Sequence, residues 1–510
     1  MTVSKKTKFN IPLILLIFVA TVALLVRLYK LNQVYVFGGD EEYQATYAMT
    51  LVTDFHPIWI GVNAGHTGMY LGPFWTYFTA FWLFLAKGSP SITAFIAVFI
   101  GVLACVILYL TTKELFNHKI GIISALLYAL LPLIVYYDQK FWDPSLLPLL
   151  SILLFYSLYK TYDNSRWFLI FAFLYGMVFH IHLSLIPIGL IGIITLLINI
   201  KKIGLKYIIL SLVIFVLVYS PLLVFDFNSG WSNVRSPFRL KQITSFDESS
   251  KINPSFHAKA LIDTLGRIWF LDSNVSSADE VLFACSRYST ALALEGSSYS
   301  ERTYASLLAS IISALAFILF IFNRHIRDKR AKLLIISYIV IFITSFLFFP
   351  GGAFEYYLLG VIPFVLIIWA SNSEYSNKLF SNLFYSVTAI ILIFSFNTLL
   401  KNKNDFGLSN KIFLIEQVSG FIGDNKFELF ESGGCHTHEG WRYLFKYYGE
   451  APGRSSAVDA KLGWLYPEEI YRGDLNYKVI VHEKRVPFRF TEDLVARFES
   501  GGFEAYIFEW

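Results

Sequence analysis

The sequence predicts an α-helical polytopic membrane protein carrying a small C-terminal extracytoplasmic α/β domain. Three observations carry that prediction. Of 510 residues, 55% are hydrophobic and only 15% charged, too apolar for a soluble globule. Apolar runs approaching the roughly 20 residues that a membrane-crossing helix needs recur through residues 1–400. Across 401–510 the runs shorten and charge returns. There "YKVIVHE" (477–483) and "EAYIFEW" (504–510) read as strands and "EGWRYLFKYYG" (439–449) as a helix.

In chain order the apolar segments are 11–29, 70–86, 91–111, 120–137, 145–160, 167–200, 207–225, 303–323, 333–353, 355–373 and 379–400. Lys5, Lys6 and Lys8 precede the first, and no small-residue cleavage site follows it. It reads as an uncleaved span with its N-terminus inside. Two segments are ambiguous by length: 70–86 is short and aromatic, and 167–200 is long for one helix. The short basic loops "KKTK" (5–8), "KELFNHK" (113–119), "KTYDNSR" (160–166), "KKIGLK" (201–206) and "NRHIRDKRAK" (323–332) settle both. All of them face the cytoplasm only if 70–86 lies in the interface and 167–200 crosses twice, turning outside near "HIHLS". The expectation is about eleven spans in the cell (inner) membrane, with the C-terminal domain outside. Nearly all polar mass then lies on the outer side, in loops 30–90, 138–144 and 226–302 and in the tail.

Several classes are excluded. The net charge of +5 comes from short loops and implies no nucleic acid. Three cysteines make neither a disulfide framework nor a zinc ribbon. There is no P-loop, no GxGxxG after a strand, no GxSxG and no HExxH. Chemistry is therefore sought among the outer polar residues. "FGGDEEYQA" (37–45) sets Asp40, Glu41 and Glu42 at the start of an amphipathic helix, where acids also complement the dipole. Asp138 and Asp143 flank Lys140 in the next outer loop. His66 lies in the first loop, and His180 and His182 stand together within an uncharged 34-residue apolar stretch, where polar groups need a partner. The group Cys435, His436, His438 and Glu439 fits no standard zinc spacing and reads as a loop before a helix.

With the acids placed on the outer side, the chain resembles the GT-C superfamily of polytopic glycosyltransferases, in the branch of protein O-mannosyltransferases and the lipid A aminoarabinose transferase. The motifs are "GDEEY", "GPFWTYF", "YYDQKFWDPSLLPLL", "HIHLSLIP", "YSPLLVFDF" and "EYYLLGVIPF", the last containing Glu355. The likeness spans about residues 10–370. Aminoarabinose transferases carry Lys-Pro-Pro in the first outer loop, whereas "HTGMYLGP" has no lysine and offers His66. The WWD signature of oligosaccharyltransferases is absent.

The resemblance implies an inverting transfer of a sugar from a polyprenyl-phosphate-linked donor to a lipid, glycan or protein acceptor. Asp40 would act as general base, with Glu41 or Glu42 positioning it. Asp138, Asp143 and Glu355 would bind substrate, and Lys140, His66, His180 and His182 would stabilise the leaving phosphate. Some relatives use a divalent cation (Mg or Mn) and others none; Asp40, Asp138 and Asp143 would be its ligands. The rival reading is a transporter or flippase for a lipid-linked glycan. It would need polar residues at mid-membrane depth, and segments 91–111, 120–137 and 207–225 offer almost none.

Overall fold

The computed structural model describes residues 11–64, 68–236, 254–271, 299–349, 354–375, 377–401, 404–433, 439–455, 465, 473–484 and 488–510. Helices Ile11–Leu28, Ser91–Leu115, His118–Leu130 and Leu147–Thr161 pack side by side as the first half of a bundle. Among the described residues, four helical segments are long and apolar enough to cross a membrane: Ser91–Leu115, Leu183–Asn228, Lys329–Leu347 and Lys378–Lys401. The bent pair His118–Leu130 and Pro132–Asp138 passes the same length and composition criteria when its two helices are taken together. Ile362–Ser371 is buried along its whole length at the centre of the bundle.

Two breaks shape the bundle. Pro132 lacks an N–H and forces Leu131 into an extended conformation, so the pair bends by 68° there. That bend carries residues 139–146 toward the end of the bundle where the acids stand. The second break is Gly204, whose φ of 76° and ψ of 153° interrupt the long helix Ile188–Asn228. Before it, Gly189 meets Tyr175 and Gly192 meets Phe171, an antiparallel order along Arg166–Ile181. After it, Tyr175 stacks on Phe215 and Phe179 meets Tyr219, a parallel order. The two halves therefore run in opposite directions, and the chain doubles back within "KKIGLK".

Helix Phe74–Leu85 has 12 residues, about 18 Å of length against a hydrocarbon core of about 30 Å. One face, with Trp75, Thr76, Thr79, Ala80 and Leu83, is buried, and the helix packs against Gly39–Thr53. Phe81, Phe84 and Leu85 are exposed.

The C-terminal domain contains strands β1 (Phe427–Ser432), β2 (Arg454–Ser455), β3 (Tyr477–Glu483), β4 (Leu494–Ser500) and β5 (Phe503–Glu509) in the order β2-β1-β3-β5-β4. β1 pairs in parallel with β2 and β3, whereas β5 is antiparallel to β3 and β4. The amphipathic helix Leu408–Ile422 packs on this sheet. Its buried stripe of Leu408, Leu414, Ile415, Val418 and Ile422 also includes Lys411. This core is continuous with segment 30–90, because Phe406, Trp441, Leu444 and Phe445 share one apolar cluster with Tyr35, Phe37, Trp75 and Leu83.

Candidate active site

Asp40, Glu41 and Glu42 open the helix Gly39–Thr53. Successive helical residues are turned by about 100°, so three consecutive acids face three directions. The Asp40 side chain is 51% exposed, with its Oδ2 3.9 Å from Lys140 Nζ. Glu41 folds back, its Oε2 accepting from the Gly38 N–H at 3.1 Å, and its Oε1 lies 3.7 Å from Lys140 Nζ. Glu42 faces the C-terminal domain, accepting from Arg442 Nη2 at 2.8 Å and from the Tyr443 N–H at 2.9 Å.

The bent segment supplies the other side. Lys140 lies 4.2 Å above the Trp142 ring, and Asp143 begins a single 3-10 turn ending at Leu146. Trp142 packs on Tyr356 with centroids 4.7 Å apart, and Tyr356 packs on Tyr357. The His182 ring lies against both tyrosines, at 5.6 and 5.2 Å. Its Nδ1 accepts from the Ser184 N–H at 3.2 Å, which puts the neutral ring's proton on Nε2. The result is a group of Asp40, Lys140, Trp142, Asp143, His182, Tyr356 and Tyr357.

Electrostatics shift three titratable groups here, Asp143, Lys140 and the adjoining Glu41. Burial, reinforced by the negative charge of Asp40, pushes the Asp143 carboxyl up to about 8, against a smaller opposing pull from Lys140. Asp143 is thus a proton carrier at neutral pH and can donate a hydrogen bond. Burial also raises Glu41, with Lys140 opposing and Asp40 adding to the rise. Burial works against the charge on Lys140, but Glu41 and Asp40 outweigh it and raise its pKa, so it stays cationic.

The remaining sequence candidates land elsewhere. Asp138 is buried and accepts from Arg27 Nε and Nη2 at 2.9 and 2.6 Å, so it holds the bundle together. Glu355 is buried behind the tyrosines, with the Tyr137 hydroxyl at 2.8 Å and Arg267 Nη1 at 3.2 Å. His180 Nε2 donates to the Val218 carbonyl at 2.8 Å. Its ring packs against Gly72, where a Cβ would stand 2.1 Å from Nδ1. His66, Cys435, His436 and His438 lie outside the described residues. A cation held jointly by Asp40, Asp138 and Asp143 does not fit. Asp138 is bound to a guanidinium, the Lys140 ammonium stands beside Asp40, and among the described residues no three His, Cys, Asp or Glu side chains converge as ligands.

Sequence reasoning missed Arg27, Trp142, Arg267, Tyr356, Tyr357, Lys411 and Arg442. Trp142 and the tyrosines sit inside motifs already singled out. Lys411 had a readable sign, a lysine at an apolar-stripe position of its helix. The arginines had none.

The helical bundle and its C-terminal α/β domain are similar in fold to the GT-C glycosyltransferases that the sequence resembles. Residues 71–225 match the family described as dolichyl-phosphate-mannose-protein mannosyltransferase. ArnT from Cupriavidus metallidurans, solved bound to undecaprenyl phosphate, is similar at a TM-score of 0.57 and 11% identity, over 96% of this chain and 97% of that one. The Archaeoglobus fulgidus oligosaccharyltransferase, solved with Zn and sulfate, is similar at a TM-score of 0.50 and 12% identity, over 92% of this chain and 68% of that one. No curated protein sequence matches the chain.

Proposed function

We propose that the chain transfers one sugar from a polyprenyl-phosphate-linked donor to an acceptor hydroxyl on the outer side of the membrane, inverting the anomeric carbon. One observation carries this reading. Glu41, Glu42, Asp138 and Glu355 are buried against partners in the protein, while Asp40, beside a lysine, keeps a half-exposed side chain. A general base must stand open to the proton it takes.

In this mechanism the acceptor hydroxyl gives its proton to Asp40 as its oxygen attacks the anomeric carbon. The bond between that carbon and the phosphate oxygen breaks on the opposite face, and its electron pair leaves with the lipid phosphate. Lys140 offsets the charge growing on that phosphate, and being already paired with acids it needs little reorganisation. Protonated Asp143 and the Tyr356 and Tyr357 hydroxyls donate hydrogen bonds to phosphate or sugar oxygens. The solved ArnT holds undecaprenyl phosphate, the chemical class of leaving group that this step releases, which supports a lipid-borne donor.

The test uses purified protein in detergent or nanodiscs. Transfer should proceed from a polyprenyl-phosphate-linked sugar and not from labelled UDP-, GDP- or dTDP-sugars. Asp40→Asn should lower turnover by roughly 10²–10⁴ while the protein stays folded. Transfer from a nucleotide sugar without lipid, or near-normal turnover by Asp40→Asn, would overturn the proposal.

A further inference from the structure

We infer that Arg442 and Lys411, in the C-terminal domain, are positioning residues for the Asp40 base, so that this domain completes the active site it covers. The inference rests on the assignment of Asp40 above, and it gives the domain a catalytic purpose.

The residues that carry Asp40 are gripped on both sides by groups from the far end of the chain. On the upstream side, the Leu408 N–H donates to the Tyr35 carbonyl at 2.7 Å. Lys411 Nζ donates to the carbonyls of Phe37 and Glu439 at 2.9 and 2.5 Å. On the downstream side, Arg442 and the Tyr443 N–H occupy both oxygens of Glu42. Lys411 is fully buried, and the Glu42 and Arg442 side chains are 1% and 10% exposed. Glu431 lies 4.0 Å from Arg442, and its carboxylate accepts from the Trp441 N–H. Asp40 stands between the two grips, with its nearest ion-pair partner, Lys140, on the bundle side.

The fit leaves no slack at the contact. A Cβ on Gly39 would stand 1.7 Å from Glu439 Oε2. Gly440, at a φ of 98°, approaches so closely that its Cβ would stand 2.5 Å from the Phe37 carbonyl oxygen. Buried charged pairs add little net stability relative to apolar packing, but removing one partner strands the other at a large cost, so each holds its partner in place. Here the geometry they fix is the first turn of the base-bearing helix. A base displaced by about 1 Å costs roughly a hundredfold in rate.

The experiment compares wild type, Asp40→Asn, Arg442→Ala, Arg442→Lys and Gly39→Ala, with Arg497→Ala as a control at an exposed arginine of the same domain. Arg442→Ala should lower kcat by roughly 10- to 100-fold with KM for the lipid-linked donor changed less than threefold. Arg442→Lys should recover part of the loss, and Arg497→Ala should match wild type. Amide exchange of Glu41 to Ala45 should quicken at least tenfold in Arg442→Ala. If that variant does not fold, Gly39→Ala should show the same kcat loss and faster exchange with every charge kept. Unchanged exchange at these amides, or wild-type kcat per folded molecule in the variant that folds, would overturn the inference. Failure of wild type to transfer, or full activity of Asp40→Asn, would instead sink the underlying function and the positioning role with it.

Discussion

Replacing Arg27 by Met separates a structural role for Asp138 from a substrate-binding one. Arg27 is fully buried at the end of Ile11–Leu28 and bonds to Asp138 twice. It also donates to the Tyr128 and Ala129 carbonyls, each at 3.1 Å. The Tyr128 carbonyl would ordinarily accept from residue 132, which is the proline at the bend, so Arg27 satisfies an acceptor that Pro132 leaves open. The substitution strands a buried carboxylate, at about 3–5 kcal/mol, and strips the carbonyls, at about 1 kcal/mol or more. The total, on the order of 5 kcal/mol, is a large part of the stability of an ordinary domain. Arg27→Met should therefore lower the midpoint of thermal unfolding in detergent, followed by loss of the monodisperse peak. The double variant Arg27→Met with Asp138→Leu should regain at least half of that loss, because the unpaired charge is gone, and it should keep most of its transfer activity. Additive destabilisation in the double variant would refute the reasoning, as would restored stability with transfer abolished.

Three further outcomes are expected. Asp143 loses its proton near pH 8, its pKa raised by burial and by Asp40, so transfer should decline above about pH 8. Asp143→Asn, which mimics the protonated acid, should flatten that limb, and a limb left in place would refute the role. Gly72→Ala puts a methyl group into the His180 ring and should destabilise the protein by about 1–3 kcal/mol, read by the same unfolding assay. With Cys285 and Cys435 replaced by Ser, a cysteine at 405 should react with an impermeant thiol reagent in intact cells and one at 118 should not; the reverse pattern would reject the inside–outside assignment.

The helices were legible because an apolar run of bilayer length admits few alternatives. The strands at 477–483 and near 504–510 were legible because short β-branched and aromatic runs stand out against a polar tail. The hairpin within the long apolar stretch was readable from charge, since the basic loops "KTYDNSR" and "KKIGLK" flanking it share one side only if the chain turns back between them, near "HIHLS". The site was only partly legible. Asp40, Glu41 and Glu42 are chemically alike and adjacent, and sequence offers no means of telling which faces substrate. That choice depends on helical phase and on partners up to 401 residues away. Asp138 and Asp143 posed the same difficulty, since Arg27 claims one of them through a contact that no local pattern announces.

The grip on Glu42 also sets an order of events during synthesis. Glu42 leaves the ribosome 400 residues ahead of Arg442, roughly 20–80 s at ordinary elongation rates. Through that interval the acidic turn has already been made, while its guanidinium partner has not. A nascent or truncated chain would thus carry a complete set of bundle helices and an open carboxylate with nothing to hold it. On the proposed function, only a chain that has reached Arg442 would hold Asp40 ready as a base, which would guard the lipid-borne sugar pool against consumption by fragments.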